Sequence, residues 1–229
     1  NAMEHELKLL GDKDERSKCL LEYAKLLGIR LKDYEGALRT LKGVLSDSPK
    51  DEDALDLLNQ LFNQCDETTW LAQIRSVLID GYKAAELWER LIAFLEEELL
   101  KETDFGGKTR ILREIAEVRS THLDDSSAAI DALLSAFKIE PTLDLAEQIE
   151  LLAESGSDWE RILQAYKDTS ERDGGEVFEE LTYRMGDILN LKLQRPKDSA
   201  RYYQAGLEFE FPAEVTLMAR VESLFRQLD

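Results

Sequence analysis

Histidine, cysteine and proline are scarce in this 229-residue chain, which holds two, two and four of them respectively. Two cysteines make no disulfide framework. Cys19 and Cys65 fall inside helical apolar patterns, where cysteine acts as a small hydrophobe. That usage fits a reducing compartment and favours the cytoplasm, with any targeting signal lying outside this sequence. His5 and His122 stand far apart and have no cysteine or carboxylate at metal-ligand spacing, so no metal site is expected. Neither a glycine-rich phosphate loop nor a nucleophile elbow occurs. No catalytic or cofactor-binding residue can be named, no cofactor is expected, and the chain does not read as an enzyme. No apolar run approaches the ~18 residues that cross a bilayer. Positive charge is short as well, with 29 Lys and Arg against 48 Asp and Glu for a formal charge of -19. That balance repels nucleic-acid phosphates and anionic headgroups, which excludes nucleic acid as a partner and leaves a basic protein allowed.

Apolar residues make up 43% of the chain, enough for a packed core, and they recur at three- and four-residue spacing, as in Cys19, Leu20, Tyr23, Ala24, Leu26, Leu27 and Leu31. Period-two runs of β-branched residues are missing. The class is all-α and soluble. Punctuation at Asp47-Ser48-Pro49, Asp104-Phe105-Gly106-Gly107, Ser155-Gly156-Ser157-Asp158, Asp173-Gly174-Gly175 and Arg195-Pro196 divides the chain into about twelve helices. Gly106-Gly107 and Gly174-Gly175 are expected to be left-handed helix stops. The carboxylate clusters Glu96-Glu97-Glu98, Asp12 with Asp14 and Glu15, and Glu179-Glu180 occupy consecutive helical positions that point to different faces, which reads as solvated surface.

The tripeptide Trp-Glu-Arg occurs at Trp88-Glu89-Arg90 and again at Trp159-Glu160-Arg161, 71 residues later. Ala37, Ala129 and Ala200 are each followed twelve residues on by Pro49, Pro141 and Pro212. These markers superpose a unit of four helices. Its first helix runs over Lys18 to Leu31, Arg110 to Leu123 and Glu180 to Leu193. Within it the core positions Tyr23, Ile115 and Met185 correspond, as do Leu26, Val118 and Ile188; Ala24, Ala116 and Gly186 form a small-residue position between them. A third helix is expected over Asp51 to Cys65, Thr142 to Glu154 and Ala213 to Leu228. Four helices in 71 residues are two helical hairpins, neither of which buries its apolar face alone.

The small residue in the first helix, the alanine opening the second and the closing proline resemble the tetratricopeptide repeat, a helix-turn-helix unit of about 34 residues, in degenerate form. The resemblance implies an α-α superhelix, a right-handed solenoid of antiparallel hairpins, with a concave groove lined by the first helices. Carried onto this sequence, the groove positions are Lys18, Leu21, Lys25 and Gly28; Arg110, Arg113, Glu117 and Ser120; and Glu180, Tyr183, Asp187 and Asn190. Of these, Tyr183 and Arg113 are side chains of the kind that anchor interfaces. The Lys and Asn pair with which chaperone-binding members clamp a peptide carboxylate has no counterpart here.

A single repeat domain over 1–229 is expected, with units at about 13–108, 109–176 and 177–229, the last partial. From proline to Trp-Glu-Arg there are 39 residues in the first unit and 18 in the second, so 21 extra residues, between about 66 and 87, carry an inserted helix around Trp70, itself read as core. Asn1-Ala2 before Met3 reads as an expression scar. Met3 to Leu10 aligns inside a fourth helix and Glu222 to Asp229 stops before one, which reads as a fragment of a longer array whose cut ends can self-associate. The function expected is a non-catalytic scaffold that takes a peptide or helix of a partner protein in its groove. A structural spacer or self-assembly segment without a dedicated ligand is the alternative.

Overall fold

A computed structural model describes residues 13–154, 158–171 and 176–206. Among them the chain is all-α, with helices α1 (Lys13–Lys25), α2 (Tyr34–Asp47), α3 (Glu52–Gln64), α4 (Thr68–Ala85), α5 (Trp88–Lys101), α6 (Phe105–His122), α7 (Ser126–Ile139), α8 (Leu143–Ala153), α9 (Trp159–Ser170), α10 (Glu176–Asp187) and α11 (Pro196–Gly206). Helices α1 and α10 each run on into a π-helical turn, at Leu26–Arg30 and Ile188–Lys192. The chain forms two compact units, Asn1–Ala93 and Phe94–Asp229, and the division falls inside α5. Gly174-Gly175, Pro212, the helix expected over 213–228 and both terminal alignments lie outside the described residues.

The helix starts follow the punctuation. Asp33, Asp51, Asp104 and Asp125 each accept a hydrogen bond from the backbone N–H three residues on, and Thr142 does the same for Leu145. Each such cap is worth about 1 kcal/mol. Three hairpins close with one and the same turn. The N–H of Asp33 donates to the carbonyl of Leu27, that of Asp125 to Arg119 and that of Arg195 to Leu189, six residues back in each case. The residue before each donor is left-handed: Lys32 at φ 54, Asp124 at φ 53 and Gln194 at φ 55. Among the described residues the left-handed stops are therefore not glycines. Gly106 and Gly107 instead sit in the first turn of α6, where a Cβ on Gly107 would stand 2.6 Å from the Glu102 carboxylate.

Within the first unit, α2 packs on α1, α3 on α2, and α4 on both α2 and α3. The stretch that holds the 21 extra residues carries α4, whose 18 residues exceed the 13 of α3. Its Gly81 allows close approach, since a Cβ there would lie 2.6 Å from Leu55. Trp70 is half-buried, its ring 6.3 Å from that of Tyr34. In the second unit α6 and α7 form one hairpin and α10 and α11 another. The small positions Ala24, Ala116 and Gly186 are all buried, as expected. Leu26 departs from the core set to which it was assigned: it is 46% exposed, against 4% for Val118 and 3% for Ile188. It opens the π-helical turn of α1 just as Ile188 opens that of α10, so the turn itself does not account for its exposure.

Candidate interaction clefts

Within each unit, helices two apart in the chain lie side by side, and polar bonds stitch the seams between them. In the first unit Arg90 of α5 reaches back to Asp56 and, at 3.1 Å, to Glu52 on α3. In the second, Arg161 of α9 reaches Asp131 at 3.0 Å and the carbonyl of Ser127 at 3.3 Å on α7. The arginines of the two Trp-Glu-Arg tripeptides thus do the same job, which explains the repeated motif as a fastener. Arg184 of α10 pairs with Glu150 at 3.0 Å and Glu147 at 3.3 Å on α8 and with Glu180 on its own helix, and Lys192 reaches Glu154 at 3.3 Å. Arg113 of α6 holds Asp144 of α8 at 2.6 Å.

Among the described residues, a seam opens into a cleft in each unit. The α1/α3 cleft, about 560 Å³, is lined by Lys18, Leu21, Glu22 and Lys25 from α1 and by Asp53, Asp56, Leu57 and Gln60 from α3. The α6/α8 cleft, about 610 Å³, is lined from α6 by Gly106, Thr109, Arg110, Arg113, Glu114 and Glu117, and faced by Glu140, Thr142 and Gln148. Three residues expected in the groove from each of the first two repeats therefore share a cleft: Lys18, Leu21 and Lys25 in one, Arg110, Arg113 and Glu117 in the other. In the second, Arg113 and Gln148 converge on the Asp144 carboxylate, at 2.6 and 3.1 Å, and Arg110 is paired with Glu114 at 2.8 Å.

The third set turns inward. Tyr183, expected on the surface, is 3% exposed, and Asn190 is 8% exposed in the π-helical turn. The reason is a reciprocal fit between α10 and α11. The Tyr183 ring lies where a Cβ on Gly206 would be, and its hydroxyl donates to the Gly206 carbonyl at 2.6 Å. The Tyr203 ring lies likewise against Gly186, its hydroxyl donating to Asp187 at 2.7 Å. Glu180 meanwhile accepts from Arg184 at 3.2 Å. Gly28, also assigned to the groove, is buried because α3 approaches it, Leu61 standing 2.5 Å from the place of a Cβ.

Polar bonds from Lys13 to the Asp47 carbonyl, Ser17 to Asp51, Lys32 to Asp66, Arg90 to Asp56, Arg161 to the Ser127 carbonyl and Arg184 to Glu150 all join residues 34 apart. That is the length of one helical hairpin. The repeat is tetratricopeptide-like. No protein-family model matches the chain. No curated protein matches it either. Among solved structures, the chain is similar to the MamA protein at 19% identity and TM-score 0.35, over 84% of this chain and 90% of that one. It is also similar to TTC0263, a thermophilic TPR protein of Thermus thermophilus, at 16% identity and TM-score 0.36, over 91% and 98% of the two chains.

Asp53, Asp56, Leu57 and Gln60 belong to the first cleft and were missed by reading groove positions only from the first helix of each unit. Their signal was present as spacing, since Asp53, Asp56, Leu57 and Gln60 share one face of α3. Among the described residues no three His, Cys, Asp or Glu side chains converge as a metal site requires, and no helix is long and apolar enough to cross a membrane.

Proposed function

We propose that the chain is a non-catalytic interaction module that holds a peptide or helix of another protein in its α1/α3 cleft or its α6/α8 cleft. The observation that carries this reading is that corresponding positions on two repeats, Lys18, Leu21 and Lys25 on α1 and Arg110, Arg113 and Glu117 on α6, each line one wall of a concave site. Parallel helices presenting a furrow between them suit a segment that lays its side chains into that furrow. Polar side chains dominate both rims, as at interfaces that form and separate, while Leu21 and Leu57 supply an apolar floor in the first.

The test is affinity capture from lysate at physiological salt with the wild-type chain and with Leu21→Asp and Arg110→Glu, one in each cleft. A dominant protein retained by the wild type and lost from either variant supports the module. Equal retention by all three supports a spacer whose contacts lie elsewhere, and basic proteins that wash off with salt reflect only the net charge.

A further inference from the structure

Resting on the groove reading above, we infer that the α1/α3 cleft takes an amphipathic helix of another protein, with its apolar side chains on Leu21 and Leu57 and its carboxylates against Lys18 and Lys25. The cleft is closed at both ends. Ser17 donates to Asp51 at 2.8 Å at one end, and Gly28 meets Leu61 at the other. Between Ser17 and Gly28 lie about 16 Å of helix, or three turns, along which Lys18, Leu21, Glu22 and Lys25 line the cleft. That length seats two to three turns of a third helix.

Elsewhere within the units, cations cross the seams to carboxylates: Arg90 from α5 to α3, Arg113 from α6 to α8, Arg161 from α9 to α7, and Arg184 with Lys192 from α10 to α8. Along the α1/α3 cleft no such bond forms, and neither Lys18 nor Lys25 has a partner among the described residues. Both are exposed and seven residues apart on the face that also carries Leu21. On the facing wall Asp56 is already neutralised by Arg90. Asp53 remains at the α3 rim and Glu22 lies between the lysines, so a partner with carboxylates on both flanks is repelled. One acidic flank, turned towards α1, is the complementary pattern. An incoming helix of this kind repeats across the cleft the cation-carboxylate fastening that the chain uses at its own seams. It also runs against the net charge of -19, so acid preference cannot arise from the long-range field.

The experiment uses three synthetic helical peptides with one leucine stripe and a single variable flank of Glu, Gln or Lys, titrated by fluorescence anisotropy at physiological salt. The wild-type chain should bind the Glu peptide about tenfold more tightly than the Lys peptide, and Lys18→Glu with Lys25→Glu should reverse that order. Both lysines are exposed, so the double variant keeps the fold, which circular dichroism checks. Equal or tighter binding of the Lys peptide by the wild type overturns the inferred partner chemistry. Absence of binding by all three up to about 1 mM overturns docking at this cleft. If a captured protein is nonetheless lost with Arg110→Glu, the groove reading survives through the second cleft and this inference alone falls.

Discussion

Gly186 and Gly43 are both helical glycines, yet they stand in opposite surroundings. A Cβ at Gly186 would stand 2.4 Å from the Tyr203 ring, whereas nothing lies within 4 Å of one at Gly43, which is exposed on α2. Gly186→Ala should therefore destabilise the protein by about 1–3 kcal/mol, because the ring must leave its seat. Gly43→Ala should stabilise it by up to about 1 kcal/mol through helix propensity alone. Urea denaturation of the two variants gives the comparison, and equal effects would refute the reciprocal fit. Tyr166 makes a second residue-level case. It is fully buried, and its hydroxyl lies 3.2 Å from the Ala146 carbonyl and 3.1 Å from Glu150. Burial first, and then the Glu150 carboxylate, push its titration above the ordinary phenol value of 10.0. In the unfolded chain the phenol ionises near pH 10 while the folded one stays protonated, so the unfolded state holds fewer protons above that pH. Its contribution is complete below pH 10 and falls above it by about 1.4 kcal/mol per pH unit. The wild type should lose stability more steeply than Tyr166→Phe between about pH 10 and 11; parallel losses would show that Tyr166 ionises as freely folded as unfolded.

At the scale of elements, the hairpin turn is built three times with a left-handed residue that is never glycine. A side chain at positive φ costs about 1 kcal/mol or more. Asp124→Gly should accordingly raise stability by up to about 1 kcal/mol, less what the more flexible unfolded chain takes back, and a fall in the denaturation midpoint would contradict it. The seams offer a contrast in ion pairs. Arg184, 17% exposed, faces three glutamates, whereas Arg39 and Glu35 form an exposed pair on one helix. Arg184→Met should cost about 2 kcal/mol, since Glu147, Glu150 and Glu180 are left crowded together, and Arg39→Met less than about 0.5 kcal/mol. The helices themselves were legible because their signals are local: the apolar spacing, the Asp caps and the Trp-Glu-Arg and Ala-to-Pro markers all act within one or two turns. The clefts were half legible. Lys18 and Arg110 follow from helical phase, but the burial of Tyr183 depends on Gly206 in the next helix, and that of Gly28 on Leu61 in α3. No pattern within one helix reports what its neighbour presses against it. The π-helical turns escaped for a related reason, since Leu26 continues an unbroken apolar phase in the sequence while the backbone beneath it changes pitch.

For the whole molecule, the charge of -19 has a thermodynamic sign. Several of its cations are drawn into short bonds across the seams, while the surplus carboxylates repel one another over longer distances. Salt at about 0.1 M screens charges beyond about 10 Å and weakens contacts at 3 Å far less. The melting temperature should rise between about 10 mM and about 150 mM NaCl. A fall would mean that the seam bonds, and not the surplus acid, dominate the electrostatics.

Bonds that join residues 34 apart carry a consequence for ancestry. A stretch of that length copied in tandem brings a donor and an acceptor already in phase, so each new hairpin arrives with its own fastener and grips the previous copy without further change. Growth by whole hairpins is thus a path of little loss, and the arginines of the two Trp-Glu-Arg tripeptides, each bonded to a residue 34 earlier, show the kind of fastener such a copy carries with it.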